Sequence, residues 1–176
     1  MFSYFARHLI QRYRSRHRKV VDLNQEYTIG LRSWLSDCDM NLHVNSSRYI
    51  VYLEIARYDI SLGCGLDRFC RANKFMPLVM GTKLTFRREI KPLQRFKVSS
   101  RVCAIDSRFI YFEQKIHSDF GDHCKAYIRV ALYKGGKFVD PATLRDALGV
   151  KLEEKDLADD LKAWIDSETL SLKSIN

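Results

Sequence analysis

The sequence predicts an α+β fold in which one antiparallel sheet wraps around a single long helix. Three features predict it: a strand-like segment of period two, one helical segment that is apolar nearly all round, and four further strand-like segments in close succession. A sheet has to bury one face, and a helix that is apolar all round has to bury its whole surface. Wrapping the sheet around the helix satisfies both requirements.

Length and composition indicate one globular domain with its own core. The chain has 176 residues, of which 46% are hydrophobic and 29% are charged. Its apolar runs fall far short of the ~20 residues that a membrane-spanning helix needs, which argues against an integral membrane protein. We place the folded domain at residues 25–140, between a basic N-terminal arm (1–24) and a helical, acidic C-terminal tail (141–176).

Periodicity predicts the first strand and the helix. Residues 27–35 alternate between two sets of side chains, as a strand does. After a polar segment, apolar side chains between Tyr49 and Ile60 recur at helical spacing. Asn45 is a suitable N-cap for this helix, and Gly63 is a suitable terminator.

The remaining strands are predicted to form a meander. The segments that alternate with period two are 79–86, 96–105, 109–117 and 125–133. Short connections, two of them marked by Gly121-Asp122 and Gly135-Gly136, favour antiparallel pairing. Pro141 then opens the tail, whose apolar positions are Leu144, Leu148, Leu157, Leu161 and Trp164. Because such a sheet leaves an edge strand that a second copy can pair with or cover, we expect a homodimer or a tetramer.

The net charge of +9 is concentrated at the N-terminus. Residues 1–21 contain six Lys or Arg and no acid, whereas residues 153–176 contain three basic and seven acidic residues. The basic arm has three interpretations: an amphipathic helix in peripheral contact with an anionic membrane, a targeting segment, or a solvated helix partly packed on the domain. No RNP, KH, zinc-finger or helix-turn-helix pattern accompanies the charge, so we expect no nucleic-acid partner.

The cysteine pattern favours reduced thiols. The five cysteines have neither CxxC nor His-rich spacing, and they are Cys38, Cys64, Cys70, Cys103 and Cys124. An odd number without such spacing is typical neither of a disulfide framework nor of a zinc site. We therefore expect a cytoplasmic protein without a metal or other cofactor.

A polar segment directly ahead of the helix carries the groups suited to chemistry. Polar side chains occupy every second position of this segment, and they are Asp37, Asp39, Asn41, His43 and Asn45. A helix N-terminus presents unpaired N–H groups and a positive dipole end, which can polarise a carbonyl and hold an oxyanion. A nearby carboxylate can act as nucleophile or as general base on water. The spacing suits acyl transfer or hydrolysis, although helix capping is the commoner use of Asp and Asn at such positions.

The same segment resembles a known family. Residues 36–49 (SDCDMNLHVNSSRY), followed by Glu54-Ile55-Ala56-Arg57, resemble the pattern D-x-D-x-x-x-H-V-N-N-x-x-Y, then E-x-x-R, of hotdog-fold thioesterases of the 4-hydroxybenzoyl-CoA thioesterase type. Residues 86–93 resemble a turn between strands in that family. The resemblance covers roughly residues 25–134 and is strongest to thioesterase-like proteins with an N-terminal extension. It implies the hotdog fold, in which a sheet encloses one long helix.

The resemblance also implies an activity and a site. The protein would be an acyl-CoA thioesterase of lipid metabolism that hydrolyses fatty-acyl or aryl-acyl CoA, with no cofactor. Asp39 would be the catalytic carboxylate, and His43 would orient the thioester or the water. Asn45 and Ser46 would supply the oxyanion site from the helix N-terminus. Because Ser46 stands where the family has a second Asn, a catalytically inactive hotdog protein that binds acyl-CoA or a protein partner is the alternative.

The sequence also suggests roles for residues near this segment. Asp37 is expected to support the site without contacting substrate, and Glu54 with Arg57 to form a buried ion pair or a dimer contact. Cys38 flanks the candidate carboxylate, but no adjacent base marks it as a nucleophile.

A cationic stretch suits the phosphates of CoA. Residues 83–101 contain seven Lys or Arg against one acid, Glu89. Arg87, Arg88 and Lys91 are the candidates for phosphate binding. An exposed strand face that is kept soluble by charge explains the same stretch equally well.

Overall fold

The computed structural model describes residues 2–15, 25–144 and 157–174. The helices are α1 (Phe2–Ser15), α2 (Ser46–Gly63), α3 (Leu66–Asn73) and α4 (Asp159–Ser174). The strands are β1 (Tyr27–Arg32), β2 (Met76–Phe86), β3 (Arg95–Ile105), β4 (Phe109–Ser118), β5 (Gly121–Lys134) and β6 (Lys137–Val139). None of the helices in these ranges is long and apolar enough to cross a bilayer.

The strands form one antiparallel sheet, so the predicted α+β fold is confirmed. Their order is β1-β3-β4-β5-β2, and the short β6 pairs with β5. The predicted four-strand meander is correct for β3, β4 and β5 but wrong for its first strand, because β2 pairs with β5 and lies at the opposite edge from β1. This arrangement leaves β2 with one strand neighbour, β5, among the described strands.

Helix α2 lies in the curve of the sheet and fills the main core. Asn45 caps its start as predicted, with its side chain accepting from the Ser47 N–H. Tyr52, Leu53 and Ile55 are fully buried, and the Tyr52 ring packs 4.8 Å from that of Phe96 on β3. Burial on several sides explains why the helix is apolar nearly all round.

Helix α4 covers the opposite face of the sheet. Leu161 and Trp164 are buried there in a second, smaller cluster with aromatic side chains of β4 and β5. The Trp164 ring stacks on Tyr127 at 6.3 Å and meets Tyr111 edge-on at 6.5 Å. Of the tail's predicted apolar positions, Leu148 lies outside the described residues.

A glycine on β2 permits the ion pair that ties α4 to the sheet. Strand β2 has an irregularity between Val79 and Gly81. A Cβ on Gly81 would lie 2.7 Å from the Arg129 Nε, which is too close for a side chain. The space left free by Gly81 admits the Arg129 side chain, whose Nη2 lies 2.8 Å from the Glu168 carboxylate of α4.

Two element boundaries differ from the sequence-based expectation, and two short elements were not expected. β1 ends at Arg32, because residues Leu35–Asp37 turn into a short 3₁₀ helix. α3 was not predicted, since it is short and buries only Leu66 and Cys70. β2 begins at Met76 and not at 79, and the unpredicted β6 continues the hairpin from β5.

Candidate functional site

The polar segment ahead of α2 folds into a tight hairpin-like loop. Cys38 and Val44 form an isolated antiparallel bridge at its base. Within the loop, the Asp39 N–H donates to the His43 carbonyl at 3.0 Å, and the Leu42 N–H donates to the Asp39 carbonyl at 3.1 Å. Leu42 adopts a positive φ of 59°, which closes the turn. The loop thus brings the predicted pair Asp39 and His43 side by side.

Asp39 has one carboxylate oxygen engaged and one open. Its Oδ1 accepts from the Asn41 N–H at 2.9 Å and lies 3.7 Å from the His43 Nδ1, beyond hydrogen-bond length. The side chain is 28% exposed. Within the described ranges, Oδ2 has no hydrogen-bond partner, so it is free to meet a substrate carbonyl or a water.

At the start of α2, one backbone N–H has no hydrogen-bond acceptor among the described residues. The Asn45 Oδ1 accepts from the Ser47 N–H at 2.9 Å and from the Ser47 hydroxyl at 2.8 Å. The Asn45 N–H donates to the Asp37 carbonyl at 2.9 Å. The Ser46 N–H has no acceptor in the part of the chain that the structure describes. Of the two predicted donors, only Ser46 therefore has its amide available, while Asn45 acts as the helix cap.

Asp37 is a buried structural carboxylate. It is 1% exposed, and its Oδ2 accepts from the Tyr52 hydroxyl at 2.8 Å and the Trp34 N–H at 2.7 Å. Arg7 forms an ion pair with the same oxygen, and the Arg48 Nη2 lies 2.9 Å from Oδ1. Burial, together with the bond to Asp37, raises the pKa of Tyr52, so the phenol keeps its proton and donates. All of these donors hold Asp37 away from any substrate.

Arg7 connects helix α1 to the base of the site, and sequence reasoning missed it. Its guanidinium donates to the Arg32 carbonyl at 2.9 Å and lies 4.2 Å from the centre of the Trp34 ring. Burial lowers the pKa of Arg7, opposed by the Asp37 carboxylate. Nothing in the spacing of the basic arm distinguishes Arg7 from its five other basic residues.

The predicted phosphate-binding residues lie together. Arg87, Arg88 and Lys91 are exposed and line one cavity of about 540 Å³ with Gln94 and His123 among its other walls. The backbone N–H groups of Arg87 and Arg88 donate to the His123 carbonyl at 2.9 and 3.3 Å, which fixes the turn. The structure therefore brings the three predicted cations to one cavity, whose lining also includes the acid Glu89.

A buried histidine and a buried isoleucine hold this turn in place. The His123 Nδ1 lies 2.9 Å from the Glu89 carbonyl, and its Nε2 lies 2.8 Å from the Ser118 hydroxyl. Ile90 is fully buried, and its carbonyl accepts from the Val44 N–H at 2.8 Å. The bond from Val44 joins the cationic turn directly to the loop that carries Asp39. No spacing signal pointed to His123.

An apolar cavity runs along α2. It has a volume of about 550 Å³, begins at Ile50 and reaches Ser61, with walls from β2, β4, β5 and α3. Arg57 lines it and donates to the Gln114 Oε1 at 2.7 Å, and burial lowers the pKa of Arg57 to about 10. Arg57 therefore bonds to the sheet, and the charge of Glu54 opposes the lowering of the Arg57 pKa. Glu54 also faces α1, with an oxygen 3.9 Å from the His8 Nε2.

The environment of Cys38 disfavours a thiolate at this loop. The Cys38 Sγ lies 3.6 Å from the Trp34 carbonyl, and burial with the nearby Asp37 and Asp39 raises the pKa of the thiol. A raised pKa opposes the thiolate that a nucleophile requires. Among the described residues, no group of three or more His, Cys, Asp or Glu is placed to hold a metal ion.

Known proteins are similar to this chain in sequence. A family profile described as "Thioesterase-like superfamily" matches residues 33–165. Protein THEM6 of Danio rerio is 26% identical over 149 residues, which cover 83% of this chain and 72% of that protein. Thioesterase poxG of Penicillium oxalicum is 26% identical over 178 residues, and the match covers 80% of this chain but only 59% of poxG.

Solved structures share the fold. Slr0204, a 1,4-dihydroxy-2-naphthoyl-CoA thioesterase from Synechocystis, matches with a TM-score of 0.62 over 74% of this chain and 100% of that chain. Its sequence is 12% identical, so this likeness concerns the fold alone. The family profile covers most of the chain, and its residues include the whole loop from Asp37 to Asn45. The chain therefore belongs to the thioesterase-like superfamily and has the hotdog fold.

Proposed function

We propose that the protein hydrolyses acyl-CoA thioesters to the free acid and CoA, with a fatty-acyl or aryl-acyl group as substrate. The observation that carries the proposal is the open Asp39 Oδ2 in the same loop as the unused Ser46 N–H. A carboxylate and an amide donor at a helix N-terminus are the minimum equipment for acyl transfer.

The chemistry requires one carboxylate and one oxyanion donor. The thioester carbonyl accepts from the Ser46 N–H, and the positive end of α2 stabilises the negative charge that develops on the oxygen. Asp39 then either attacks the carbonyl carbon, releasing the CoA thiolate and leaving an anhydride that water hydrolyses, or takes a proton from a water that attacks instead. His43, beside Asp39, orients the attacking group in either route.

The two cavities suit the two halves of such a substrate. The apolar cavity along α2 provides room for an acyl or aryl group, since most of its walls are hydrophobic side chains. The cationic cavity of Arg87, Arg88 and Lys91 suits the CoA phosphates. The bond between Val44 and Ile90 places the cationic turn next to the reacting loop. The naphthoyl-CoA thioesterase of the same fold acts on a CoA thioester, which fits this division.

A second copy of the chain completes the site in this proposal. Strand β2 has β5 as its one strand neighbour among the described strands, and its residues Met76, Pro77, Leu78 and Val79 are all exposed. Met40 and Leu42, at the tip of the reacting loop, are exposed as well. A long apolar edge promotes pairing with another strand. We therefore propose a homodimer that pairs or covers β2 and encloses the loop.

The proposed compartment is a reducing one, the cytoplasm. All five cysteines are free thiols, and burial raises the pKa of Cys70 and Cys124 to about 11. Thiols that resist ionisation are slow to form disulfides, so they serve here as small buried apolar groups.

A panel of acyl-CoA thioesters tests the proposed activity. The purified protein is expected to release free thiol from at least one class among short-chain, long-chain and aromatic acyl-CoAs, as followed with a thiol-reactive dye. Turnover of none, with acyl-CoA binding retained in calorimetry, supports the inactive acyl-CoA-binding alternative. A protein that shows neither turnover nor acyl-CoA binding contradicts both proposals.

A double variant tests the cationic cavity within the same assay. Arg87→Ala with Arg88→Ala is expected to raise KM several-fold with little change in kcat, because phosphate contacts are made equally in the ground and transition states. Lys137→Ala with Lys162→Ala removes as much charge from distant exposed positions and serves as the matched control. An equal rise of KM in the control would assign the effect to net charge alone.

A further inference from the structure

Helix α1 is oriented with its polar side toward the protein and its apolar side outward. Arg7 and Gln11 are buried, with exposures of 5% and 3%. Leu9 and Tyr13, about one turn apart on the other side of the helix, are 66% and 72% exposed, and Phe5 is exposed with them. An ordinary surface helix shows the reverse arrangement.

Polar bonds hold this orientation. Arg7 pairs with Asp37, and the Gln11 Nε2 donates to the Asp59 Oδ1 of α2 at 2.6 Å. Both partners are buried, so rotating the helix to bury Leu9 would break both contacts. The outward apolar side is therefore built into the fold, and contiguous exposed apolar surface of this kind marks an interaction site.

A cationic cleft adjoins this apolar side. It has a volume of about 720 Å³ and lies between α1 and strands β1 and β3, with Ile10 on its α1 wall. Three of the side chains that line it are exposed cations, Arg32, Arg95 and Lys97, against one acid, Asp119. Arg7 also lines it, and its buried Nε has no hydrogen-bond partner within the described residues.

We propose that this surface docks on a bilayer that contains anionic phospholipid. The apolar side of α1 enters the interface, and the cations of the cleft meet the headgroup phosphates. Charge complementarity selects this occupant: the cleft presents three exposed cations against one acid, and the sequence of residues 1–21 contains six Lys or Arg and no acid. A second copy of the chain would bring like charges together across a two-fold axis, and a nucleic acid has no use for exposed Leu9 and Tyr13.

The docking surface is independent of the proposed hydrolysis. Leu9, Tyr13, Arg95 and Lys97 belong to neither the reacting loop nor the two cavities assigned to substrate. Failure of the membrane proposal therefore leaves the proposed activity untouched, and failure of the activity leaves the membrane proposal untouched.

Vesicle cosedimentation of the full chain tests the proposal. The protein is expected to sediment with vesicles of phosphatidylcholine mixed with phosphatidylserine, and to bind pure phosphatidylcholine vesicles roughly tenfold more weakly or worse. Raised salt should weaken binding to the anionic vesicles, because it screens the cleft cations. Equal binding to both vesicle types, or binding to neither, overturns the proposal.

Matched variants assign the effect to the surface. Leu9→Asp with Tyr13→Asp, and separately Arg95→Glu with Lys97→Glu, are each expected to reduce binding roughly tenfold. Lys137→Glu with Lys162→Glu changes net charge as much as the cleft pair does, at exposed positions elsewhere, and is expected to bind as the wild type does. Each variant is first checked for an unchanged melting temperature, and single changes replace a double variant that fails this check.

Three outcomes reassign the surface. If the control pair loses as much binding as Arg95→Glu with Lys97→Glu, the attraction comes from net charge and the cleft is not a docking site. If glycerophosphate alone raises the melting temperature while vesicles do not bind, the cleft takes a free phosphate and the membrane proposal fails. Self-association that Leu9→Asp abolishes, without vesicle binding, would likewise assign the apolar side to a second copy.

Discussion

Two carboxylates two residues apart in one loop have opposite environments. Asp37 is fully buried and has four donors around it, from Arg7, Trp34, Arg48 and Tyr52. Asp39 is 28% exposed and accepts one backbone hydrogen bond, from Asn41. The first carboxylate is committed to the fold, whereas the second has an oxygen left for a reactant.

The backbone explains the difference. In a regular strand, positions 37 and 39 would point to the same side. Here Asp37 ends the short 3₁₀ helix, and its side chain bonds back to the Trp34 N–H. Asp39 instead begins the turn that the Leu42 N–H closes. A change of backbone conformation between the two residues thus separates a structural role from a proposed chemical one.

The largest expected effect is the loss of activity on changing the exposed carboxylate. Asp39→Asn keeps the size and the bond from Asn41 but removes the charge that attacks or accepts a proton. We expect kcat/KM to fall roughly a thousandfold on the best acyl-CoA substrate, as the loss of a reacting acid or base does. The free energy of unfolding, from urea melts, should change by no more than about 0.5 kcal/mol, as for other surface positions. An Asp39→Asn protein that hydrolyses at the wild-type rate contradicts the assignment.

The buried carboxylate should show the reverse profile. Asp37→Asn leaves the Arg7 guanidinium buried beside a neutral amide, and removing one member of a buried ion pair costs about 3 kcal/mol or more. We expect a loss of that size in urea melts, with far less effect on kcat in whatever fraction remains folded.

A partner variant calibrates this result. Arg7→Met removes one donor, while Asp37 keeps its bonds to Arg48 and Tyr52. Its cost should be smaller, about 1–3 kcal/mol, since Asp37 stays hydrogen-bonded. If Arg7→Met destabilises the protein more than Asp37→Asn does, then Asp37 is not the central group among the side chains that bond to it.

Sequence periodicity was sufficient for the fold because the signals are local. The apolar positions from Tyr49 to Ile60 lie within one helix, and the cap at Asn45 lies next to it. The strands from β3 to β5 alternate with period two and are joined by short turns. Each of these features depends on neighbours within a few residues, which a single sequence displays directly.

The missed features depend on contacts between distant residues. Arg7 and Asp37 are 30 positions apart, and His123 and Glu89 are 34 apart. No spacing rule connects such pairs, so the residues that dock α1 and that support the cationic turn were not predictable, although partial packing of α1 on the domain was one of the three interpretations of the basic arm. Both carboxylates, Asp37 and Asp39, are evident in the sequence. Which of them is buried depends on Arg7, which lies on a different helix, α1. The role of Asp39 itself stays a prediction.

A moderate effect is expected from the neighbour of the exposed carboxylate. His43→Gln removes the imidazole 3.7 Å from Asp39 while leaving the backbone bond from Asp39 to residue 43 in place. We expect kcat to fall roughly tenfold or somewhat more, because loss of an orienting group misplaces the reactant without removing the reacting one. Stability in urea should be unchanged. A loss as large as that of Asp39→Asn would instead make His43 the reacting base.

The smallest expected effect is a pH dependence of the free energy of unfolding, which arises where α1 packs on α2. His8 of α1 packs edge-on against Tyr58 at 5.6 Å between ring centres, and burial lowers the pKa of His8, with the Glu54 carboxylate opposing. A lowered pKa means that the unfolded chain, in which the pKa is about 6.5, binds the proton more readily than the folded one. This contribution to stability is therefore complete above about pH 6.5 and is lost as the pH falls through the lower pKa of the folded state.

Urea melts from pH 7.5 to about 5 should show a steeper loss of stability for the wild type than for His8→Gln, in which nothing titrates at this position. The quantity that decides is the difference between the two proteins at each pH, because they share every other titratable group. A wild type that gains stability relative to His8→Gln on acidification would mean that the ion pair of His8 with Glu54 outweighs the cost of burial. Helix α1 would then be held on the domain by an ion pair at His8 as well as by the one at Asp37.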